Sequence, residues 1–583
     1  MLSRAERSFP ILLVLSAAIV ISQGCGFPGR HGPADTFGLD LSMPPGAVVI
    51  TPPAKTAGVL IFMIDGVNAY VMEDMLRAGQ LPAIKKYFVD RGLYAPRAVA
   101  SVPTVTLANV TSIATGMLPG HHGIVGNHWF DRSDYLYRNY ETLAQKNTLD
   151  GDYANATMFE YADGRFTSAI FFQPHRGATR WYENRFSAGV AYYLGWYNLV
   201  DRVALYRFKN MAQLAREKGQ WPLVTVCYLL TPDFCAYWHG VDTSHYIACM
   251  KEMDFQLGRV LGDFDRAGLL DKLTLMLVSD HGMCPVKQHC DFAKIVQENA
   301  HLTVAKRFLR ESTPREQRKA YYDKYNAIID RTGDRYMGLW LRRPRFASGQ
   351  EIAFDEWRLR PSAADMAAYP TPRGRIDLFS AMMSDPCVDA IAYSVGENRI
   401  RVRTRGGEAE FAQPGGPRAD ISYRLVSGSD PFMWNGKVRQ DMLDGTPAGP
   451  LTWLDETEHT PFPAFVSSLL AFMGEKNRRP DIVVFAAPLR DFSTTLHSGH
   501  GGLRACETYI PIMAAGGGIP HRKASTVRSV DLVPTILQLL GKPIPPDMDG
   551  RSLLESNPYH EAQRRPPSPA TRPAATRAVS TAP

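Results

Sequence analysis

Two long apolar runs of this chain end on acidic residues, and this arrangement constrains the fold more than any other feature. The run "GVLIFMID" ends at Asp65, and "LTLMLVSDHG" carries Asp280 and His281 at its end. Continuous apolar runs of this length are typical of strands that are buried on both faces of a parallel sheet. Because the carboxyl ends of such strands open onto the ligand crevice, we expect Asp65 and Asp280 to lie at the functional edge of one sheet.

The remaining apolar runs alternate with helical patterns, which predicts an α/β fold with a doubly wound, mostly parallel sheet flanked by helices. An example of the helical pattern is the segment 245–268, in which apolar residues recur at three- and four-residue intervals. The predicted core strands cover residues 58–65, 168–172, 223–230, 273–280, 481–487 and 509–516.

Over residues 295–478 the alternation of apolar runs and helical patterns stops, and this change predicts an α+β insertion domain within the core. The segment contains a charged helical stretch, several Pro and Gly breaks, and a run that is typical of a β-hairpin. The catalytic core is therefore predicted to consist of two parts, residues 57–294 and 479–555. Residues 25–56 are interpreted as a linker, and the apolar-poor residues 556–583 as a disordered tail.

The charge of the chain gives little indication of a polyanionic partner. Of the formal net charge of +7, residues 1–24 hold +1 and residues 558–583 hold +3. The long central part of the chain is therefore nearly balanced in charge, and we expect it to bind no polymeric nucleic acid.

The N-terminal segment 1–24 has the tripartite form of an export signal, with two Arg residues, an apolar run and a small, polar end. The following "ISQGC" resembles the bacterial lipoprotein box, in which Cys25 would be lipidated and would attach the protein to a membrane. An uncleaved N-terminal anchor is the alternative. We expect an exported protein in the periplasm or at the cell surface, with lipid attachment left open.

The eight cysteines have an irregular spacing, which does not indicate a disulfide framework. If Cys25 is lipidated, an odd number remains. Cys284 and Cys290 are the pair that could form a disulfide in an oxidising compartment.

Two further polar segments follow apolar runs and add candidate metal ligands. "LLTPDFCAYWHG" carries Asp233 and His239, and the Gly-rich "TTLHSGHGG" carries His497 and His500. A single Asp at a strand end is commonly a helix cap, and a single His is commonly structural. Four such occurrences around one sheet are instead typical of a site for divalent metals, which bind carboxylate oxygen and imidazole nitrogen.

The hydroxyl-rich segment "SVPTVTLANVTS" includes the start of a helix-compatible stretch at 107–115. Thr104 or Thr106 would then lie at or near a helix N-terminus, where free N–H groups and the helix dipole favour a phosphate group or an incipient alkoxide. The alternative is a simple N-cap Thr followed by a Gly-rich turn.

The ordered set "MIDG", "PTVTLAN", "TGMLPGHHGIVGN", "PDFCAYWHG", "SDHGM" and "HSGHGG" resembles the alkaline phosphatase superfamily. It is most similar to the nucleotide pyrophosphatase/phosphodiesterase (type I phosphodiesterase) branch, and the resemblance covers roughly residues 57–300 and 480–555. That branch has a threonine nucleophile in a Thr-x-Thr-Phe-Pro-Asn context, followed by a Thr-Gly-x-x-Pro-x-x-His-Gly-Ile-x-Gly-Asn run.

Carried onto this sequence, the resemblance implies a nucleophile at Thr106 and, at Asn109, an amide that helps to hold a phosphoryl oxygen of the substrate. It also implies two divalent metal ions as cofactors, with zinc as the expected metal. The implied ligands are Asp65, Thr106, Asp280 and His281 for the first ion, and Asp233, His500 and a further histidine for the second.

The further histidine is the point at which this sequence departs from the family. The family's second site usually reads Asp-x-x-x-His-x-x-Gly, which places Tyr237 where the histidine is expected. A neutral imidazole suits zinc better than a phenol with a pKa near 10. We therefore expect a local bulge or a broken helical turn that brings in His239 as the ligand, with His245 in reserve and Tyr237 directed towards the substrate.

The implied activity is two-metal hydrolysis of phosphodiester or phosphoanhydride bonds in nucleotides or other small molecules, through a covalent phospho-threonine. A sulfatase is disfavoured because no Cys lies in a Cys-x-Pro-x-Arg type motif. Three alternatives remain open: a phosphoethanolamine-type phosphotransferase, a phosphonate hydrolase, and a non-catalytic surface binding protein.

Overall fold

The computed structural model describes residues 58–142, 145, 148–182, 196–330, 334–345 and 353–555. The expected export signal, the lipidation site at Cys25, the linker and the C-terminal tail lie outside the described residues. No helix within the described ranges combines the length and apolarity needed to cross a membrane.

Two large sheets organise the described part of the chain. Their strands are, in chain order, β1 (Val59–Ile64), β2 (Gly92–Val99), β3 (Ser168–Ile170), β4 (Arg180–Tyr182), β5 (Val224–Leu229), β6 (Thr274–Ser279), β7 (Ala327–Ile329), β8 (Tyr336–Leu341), β9 (Val388–Gly396), β10 (Arg399–Thr404), β11 (Gly407–Ala412), β12 (Ser422–Gly428), β13 (Ile482–Ala486), β14 (Tyr509–Ala515) and β15 (Arg522–Lys523). Smaller sheets pair His128–Asp131 with Leu136–Asn139, Pro344–Arg345 with Ala353–Phe354, Tyr369–Thr371 with Gly374–Ile376, and Cys284–His289 with Leu489–Asp491 and Ser498–Gly499.

Nine helices of the described ranges are numbered in chain order. They are α1 (Ala69–Arg77), α2 (Thr106–Thr115), α3 (Tyr197–Lys218), α4 (Thr231–His239), α5 (Ser244–Arg266), α6 (Phe292–Glu298), α7 (Arg315–Tyr322), α8 (Phe465–Gly474) and α9 (Leu532–Leu539). Further helices of three to seven residues are Pro82–Ile84, Pro119–His122, Leu149–Asp152, Ala363–Ala367, Leu378–Met383, Gln440–Leu443, Pro450–Glu456 and Ala505–Thr508.

The core sheet has eight strands in the order β15-β2-β14-β6-β1-β5-β3-β4, and every pairing is parallel except those made by β14. Alternate side chains of β1 from Val59 to Met63 pack in one apolar cluster with α2 and α9. The side chains between them, from Leu60 to Ile64, pack in another cluster with α1, α3 and α5. Both faces of the sheet are therefore covered by helices, which confirms the doubly wound α/β prediction.

The register of the central strands determines where the polar strand ends meet. Ile64 is paired with Leu229 of β5 on one side and with Ser279 of β6 on the other. Asp65 and Asp280, which follow Ile64 and Ser279, therefore emerge side by side at the carboxyl edge of the sheet, as the apolar runs predicted.

The second sheet is antiparallel and has seven strands in the order β7-β8-β13-β9-β10-β11-β12. The predicted hairpin of the insertion corresponds to β9, β10 and β11. One strand prediction was wrong in its placement: residues 481–487 were expected in the core sheet, but β13 pairs with β8 and β9. An apolar run indicates a buried strand without specifying which sheet buries it.

The cysteines form a framework that their spacing did not reveal. Disulfides join Cys235 to Cys249, Cys284 to Cys506, and Cys290 to Cys387, and Cys227 is buried as a free thiol. The suggested Cys284–Cys290 pair is therefore wrong. Two of the three bonds join residues that are 222 and 97 positions apart, so no local pattern could have identified them.

Candidate active site

The ends of β1 and β6 bring two carboxylates and an imidazole into one buried cluster. Asp65, Asp280 and His281 each present a ligand atom within 4.8 Å of the others. Asp280 Oδ1 accepts hydrogen bonds from the backbone N–H groups of Gly66, at 3.2 Å, and His281, at 3.0 Å. Asp65 Oδ2 accepts one from the Tyr228 hydroxyl. Each of the two carboxylates, Asp65 and Asp280, thus has one oxygen fixed by a hydrogen bond, and its other oxygen faces the cluster.

The orientation of the His281 ring follows from its backbone contact. Nδ1 lies 3.0 Å from the Gly282 carbonyl oxygen, which can only accept, so Nδ1 carries the proton and Nε2 has the free lone pair. Nε2 lies 3.4 Å from Asp65 Oδ1, 3.4 Å from Asp280 Oδ2 and 3.1 Å from Thr106 Oγ1. Thr106, the first residue of α2, therefore points its hydroxyl into the carboxylate cluster.

The second candidate threonine has a different role. The Thr104 hydroxyl donates to the Gly502 carbonyl and accepts from the Gly501 N–H, both at 3.0 Å, and the residue is fully buried. Its two hydrogen bonds tie the segment before α2 to the Gly-rich loop. Of the two candidates, Thr106 is the one whose hydroxyl lies in the cluster.

A second cluster shares His281 with the first. Asp233, His281 and His500 have ligand atoms within 4.8 Å of one another, and the two imidazole rings stack with centroids 3.6 Å apart. Asp233 lies in the first turn of α4, directly after β5. His500 donates from Nδ1 to the Thr104 carbonyl at 2.8 Å, which leaves its Nε2 lone pair directed at the cluster.

Gly66 makes the approach of the two clusters possible. Its φ is +60°, and a Cβ added there would lie 2.5 Å from Asp233 Oδ1. A larger residue would be strained in this conformation and would push Asp233 away from β1. The Gly that follows Asp65 in "MIDG" is thus required by the site.

The three carboxylates of these clusters are electrostatically unsatisfied. Burial raises the pKa of Asp280 to about 7. Burial also holds the pKa values of Asp65 and Asp233 well above their usual range, and for these two residues the neighbouring carboxylates add to the effect. Asp65 Oδ1, Asp280 Oδ2 and Asp233 Oδ1 are buried and have no hydrogen-bond partner among the described residues. Because buried unpaired charges cost several kcal/mol each, this donor set fits divalent cations, which would neutralise it.

The residue expected to complete the second cluster is not there. The His239 ring stacks on His245, with centroids 4.7 Å apart, and neither residue belongs to any of the three metal-compatible groups found within the described ranges. The expected bulge is absent, since α4 continues to His239. In a regular helix, residue 239 is rotated by about 240° from Asp233, whereas Tyr237 lies about one turn above it.

Tyr237 and an unforeseen carboxylate occupy the open side of the second cluster. The Tyr237 hydroxyl lies 2.5 Å from His500 Nε2 and 3.0 Å from Asp334 Oδ2. Asp334 Oδ2 is itself 3.1 Å from His500 Nε2. Burial is the main cause that raises the pKa of Asp334 to about 8. Tyr237 therefore contacts the candidate ligands directly, and the expectation that it turns away towards the substrate needs correction.

Asn109 also differs from expectation. Its side chain is fully buried, and its Oδ1 accepts from the Ser101 N–H at 2.7 Å. Its Nδ2 donates to the carbonyl oxygens of Ser101, Pro103 and Val105. The amide holds the segment before α2 in place and is not available to a substrate.

Asn127 is the amide that does lie beside the nucleophile. Its Oδ1 accepts a hydrogen bond from the N–H of Leu107 at 2.9 Å, and Leu107 is the neighbour of Thr106 in the first turn of α2. Asn127 is the last residue of the "TGMLPGHHGIVGN" run, so the motif itself contained the signal. For Asp334 no comparable sequence signal existed.

Comparisons with known proteins agree on one family. A profile described as type I phosphodiesterase/nucleotide pyrophosphatase matches residues 59–372, more than half of the chain. Human ectonucleotide pyrophosphatase/phosphodiesterase family member 1 is 26% identical over 230 residues, which make up 39% of this chain and 24% of that protein. Ectonucleotide pyrophosphatase/phosphodiesterase 2 of Saccharomyces cerevisiae is 28% identical over 218 residues, covering 33% of this chain and 40% of that protein. The matches thus span less than half the length of these curated relatives.

A solved structure is also similar to the chain. It is that of murine ectonucleotide pyrophosphatase/phosphodiesterase 5, an inactive variant in complex with AMP. The TM-score is 0.48 and the identity 14%, over 84% of this chain and 96% of that chain.

Proposed function

The chain belongs to the type I phosphodiesterase/nucleotide pyrophosphatase family, and on that premise we propose that it hydrolyses phosphodiester or phosphoanhydride bonds of small nucleotide-like molecules. The observation that carries the proposal is the position of the Thr106 hydroxyl. It lies 3.1 Å from His281 Nε2, beside buried carboxylate oxygens that have no partner among the described residues. The names of the relatives, which combine pyrophosphatase and phosphodiesterase, agree with this reaction class.

Two divalent cations, proposed to be zinc, complete the site. Asp65, Asp280, His281 and Thr106 would hold the first, and Asp233 and His500 would contribute to the second. Bound there, the cations would stabilise the charge of the transferring phosphoryl group and lower the pKa of the attacking hydroxyl.

The residues of the chain supply the nucleophile and its orientation. Thr106 Oγ1 loses its proton to solvent and attacks phosphorus, and the bond to the leaving-group oxygen breaks. Water then hydrolyses the phospho-threonine, which releases the phosphoryl group and restores the Thr106 hydroxyl. The N-terminus of α2 favours the negative charge of the phosphoryl oxygens. We assign to Asn127 the stabilisation of one of these oxygens, because its amide is anchored to the first turn of α2 by Leu107.

We propose that the protein is exported. Six of the seven cysteines in the described ranges are paired in disulfides, which persist in oxidising compartments such as the periplasm or the cell surface. Lipid attachment at Cys25 remains a prediction from the sequence, as does the division into core and insertion domains.

The test is a substrate panel with purified, zinc-loaded protein. Thymidine 5′-monophosphate p-nitrophenyl ester and bis-p-nitrophenyl phosphate should be hydrolysed at least about tenfold faster, by kcat/KM, than the monoester p-nitrophenyl phosphate. Faster hydrolysis of the monoester, or of phosphonates, would refute the proposed specificity. Transfer to an added alcohol in preference to water would instead identify a phosphotransferase, and no turnover at all a binding protein.

A further inference from the structure

We infer that Asp334, from the segment directly before β8, is a ligand of the second cation and takes the place that the family gives to a histidine. The inference deepens the proposed function, because it rests on the presence of a second cation beside Asp233 and His500. It concerns a residue outside all the motifs that identify the family in this chain.

The position of Asp334 Oδ2 is the first argument. It lies 3.1 Å from His500 Nε2, the nitrogen whose lone pair faces the cluster. Two ligand atoms that are each about 2.0–2.2 Å from one tetrahedral zinc ion lie roughly 3.3–3.6 Å apart. The observed separation is close to that range, so one cation can contact both atoms with only a small adjustment.

The way Asp334 is held repeats the arrangement of a carboxylate in the first cluster. Asp334 Oδ1 accepts from the backbone N–H groups of His500, at 2.7 Å, and of the following residue Arg335, at 2.9 Å. Asp280 Oδ1 likewise accepts from two backbone N–H groups, one of them from the residue that follows it. In both residues the backbone fixes one oxygen and the other faces a cluster, which is the arrangement expected of an oriented ligand; in Asp334 this second oxygen also accepts from the Tyr237 hydroxyl.

The surroundings of Asp334 make it a rigid donor. The Arg335 guanidinium forms a buried ion pair with Glu507, whose carboxylate also accepts from the Gly502 N–H at 3.0 Å. β8, which follows immediately, is paired with β7 and β13. The segment of Asp334 is thus joined to the loop of His500 by an ion pair and by backbone hydrogen bonds, and the two side chains are positioned together.

Tyr237 then acts as a positioning residue rather than as the replacement ligand. Its hydroxyl lies 2.5 Å from His500 Nε2 and 3.0 Å from Asp334 Oδ2. Once a cation takes the Nε2 lone pair, the hydroxyl can donate to Asp334 Oδ2, and the ring fills the space above Asp233 on α4 that a histidine would occupy in the family. A hydrogen bond from a neighbouring side chain orients a ligating carboxylate in the same manner as in other metal sites.

The experiment counts zinc in the full-length, chelator-treated protein after reconstitution with excess zinc and desalting. Wild-type protein should hold about two zinc ions per chain, and Asp334→Asn about one. Asparagine keeps the Oδ1 acceptor for both backbone N–H groups, so the fold is expected to persist, as thermal unfolding will verify. His239→Ala is the matched control and should keep two zinc ions with unchanged affinity, whereas Tyr237→Phe, which removes a hydrogen bond to Asp334, should keep two ions but bind the second more weakly.

A rescue variant separates a ligand from a merely structural carboxylate. Asp334→Ala should lose the second zinc, and the addition of Tyr237→His, which restores the family's Asp-x-x-x-His spacing, should recover it. Asp334→Asn with two zinc ions and unchanged zinc affinity would overturn the inference. So would loss of zinc in Tyr237→Phe or His239→Ala while Asp334→Asn retains it.

The zinc count does not depend on turnover, so the two proposals can fail separately. Protein with two zinc ions and no diesterase activity would refute the proposed function and leave Asp334 as a ligand. Wild-type protein that binds only one zinc would remove the second cation and with it the inference about Asp334.

Discussion

The two cation clusters share His281 but are assembled in different ways. The first is built on the ends of the neighbouring strands β1 and β6, whose register sets Asp65 beside Asp280. The second collects Asp233 from a helix and His500 from a Gly-rich loop, and the proposed ligand Asp334, 3.1 Å from His500, would join it from the segment before the second sheet. A site built on paired strands depends on a few local hydrogen bonds, whereas the second depends on contacts between distant parts of the chain.

The largest expected effect is the loss of turnover when the nucleophile of the first cluster, Thr106, is replaced. Thr106→Ala should reduce kcat by at least about 10³-fold, because it removes the only attacking oxygen, while most of the zinc stays bound by the remaining ligands. Steady-state diesterase kinetics and zinc analysis on the same preparation check this. Thr106→Ser, which keeps a hydroxyl, is the control and should retain measurable turnover; more than a few per cent of activity in the alanine variant would contradict the assignment.

The next effect separates the two clusters by their ligands. Asp280→Asn should release the first zinc and His500→Ala the second, each with a loss of zinc affinity of at least about 100-fold, because each removes a direct donor. Zinc titration of the chelated protein gives both affinities. If both variants bind zinc as the wild type does, the division into two sites is wrong.

The third prediction distinguishes the roles of two asparagines near the first cluster, Asn127 and Asn109. Asn127→Ala should lower kcat by about 10²-fold without loss of zinc, because its amide would stabilise charge that develops in the transition state. Asn109→Ala should instead destabilise the fold by about 2–4 kcal/mol, since it leaves several buried backbone groups without their partner. Kinetics and chemical unfolding of the two variants distinguish these roles, and a reversed pattern would return the substrate contact to Asn109.

The last prediction concerns a buried charge outside both clusters, that of His128, which lies in the small sheet that pairs His128–Asp131 with Leu136–Asn139. Burial of His128 disfavours its charged form, but Asp330 and Glu141 outweigh this and raise the pKa of His128 to about 10. A raised folded-state pKa gives stability that is fully present below the unfolded value of about 6.5 and is lost as the pH rises through about 10. Wild-type protein should therefore lose about 2–4 kcal/mol of unfolding free energy between pH 7 and pH 10 that His128→Gln does not lose.

Chemical unfolding at several pH values measures this difference. Parallel curves for the two proteins would contradict the assigned charge of His128. Zinc binding at a fixed pH should be the same for the two proteins, because His128 belongs to neither cluster.

The sequence predicted the parts of the molecule that follow from local pattern. Continuous apolar runs identified β1, β5 and β6, and parallel register then brought Asp65 and Asp280 together. An apolar run could not assign residues 481–487 to the correct sheet, because it indicates that a strand is buried but not which strands pair with it.

The second cluster was only partly predictable, for a physical reason. Asp233 and His500 lie in recognisable motifs, but Asp334 is 166 residues from His500 and reaches it through tertiary contacts. His239 was favoured because imidazole suits zinc, yet the regular geometry of α4 places Tyr237 on the face of Asp233 instead. The choice of His239 on chemical grounds was wrong because the geometry of the helix determines which side chain can reach the second cluster.

The disulfide between Cys284 and Cys506 has a practical consequence for anyone who produces this protein. The two sulfur atoms lie with a Glu507 carboxylate oxygen within 4.8 Å of one another. If the chain is made in a reducing cytosol, this position offers two neighbouring thiols, and thiolates are zinc ligands. An ion bound by these thiols would have no part in catalysis, and in a zinc count it would conceal the loss of a true site. Expression in an oxidising compartment, with a thiol titration before each metal analysis, removes this source of error.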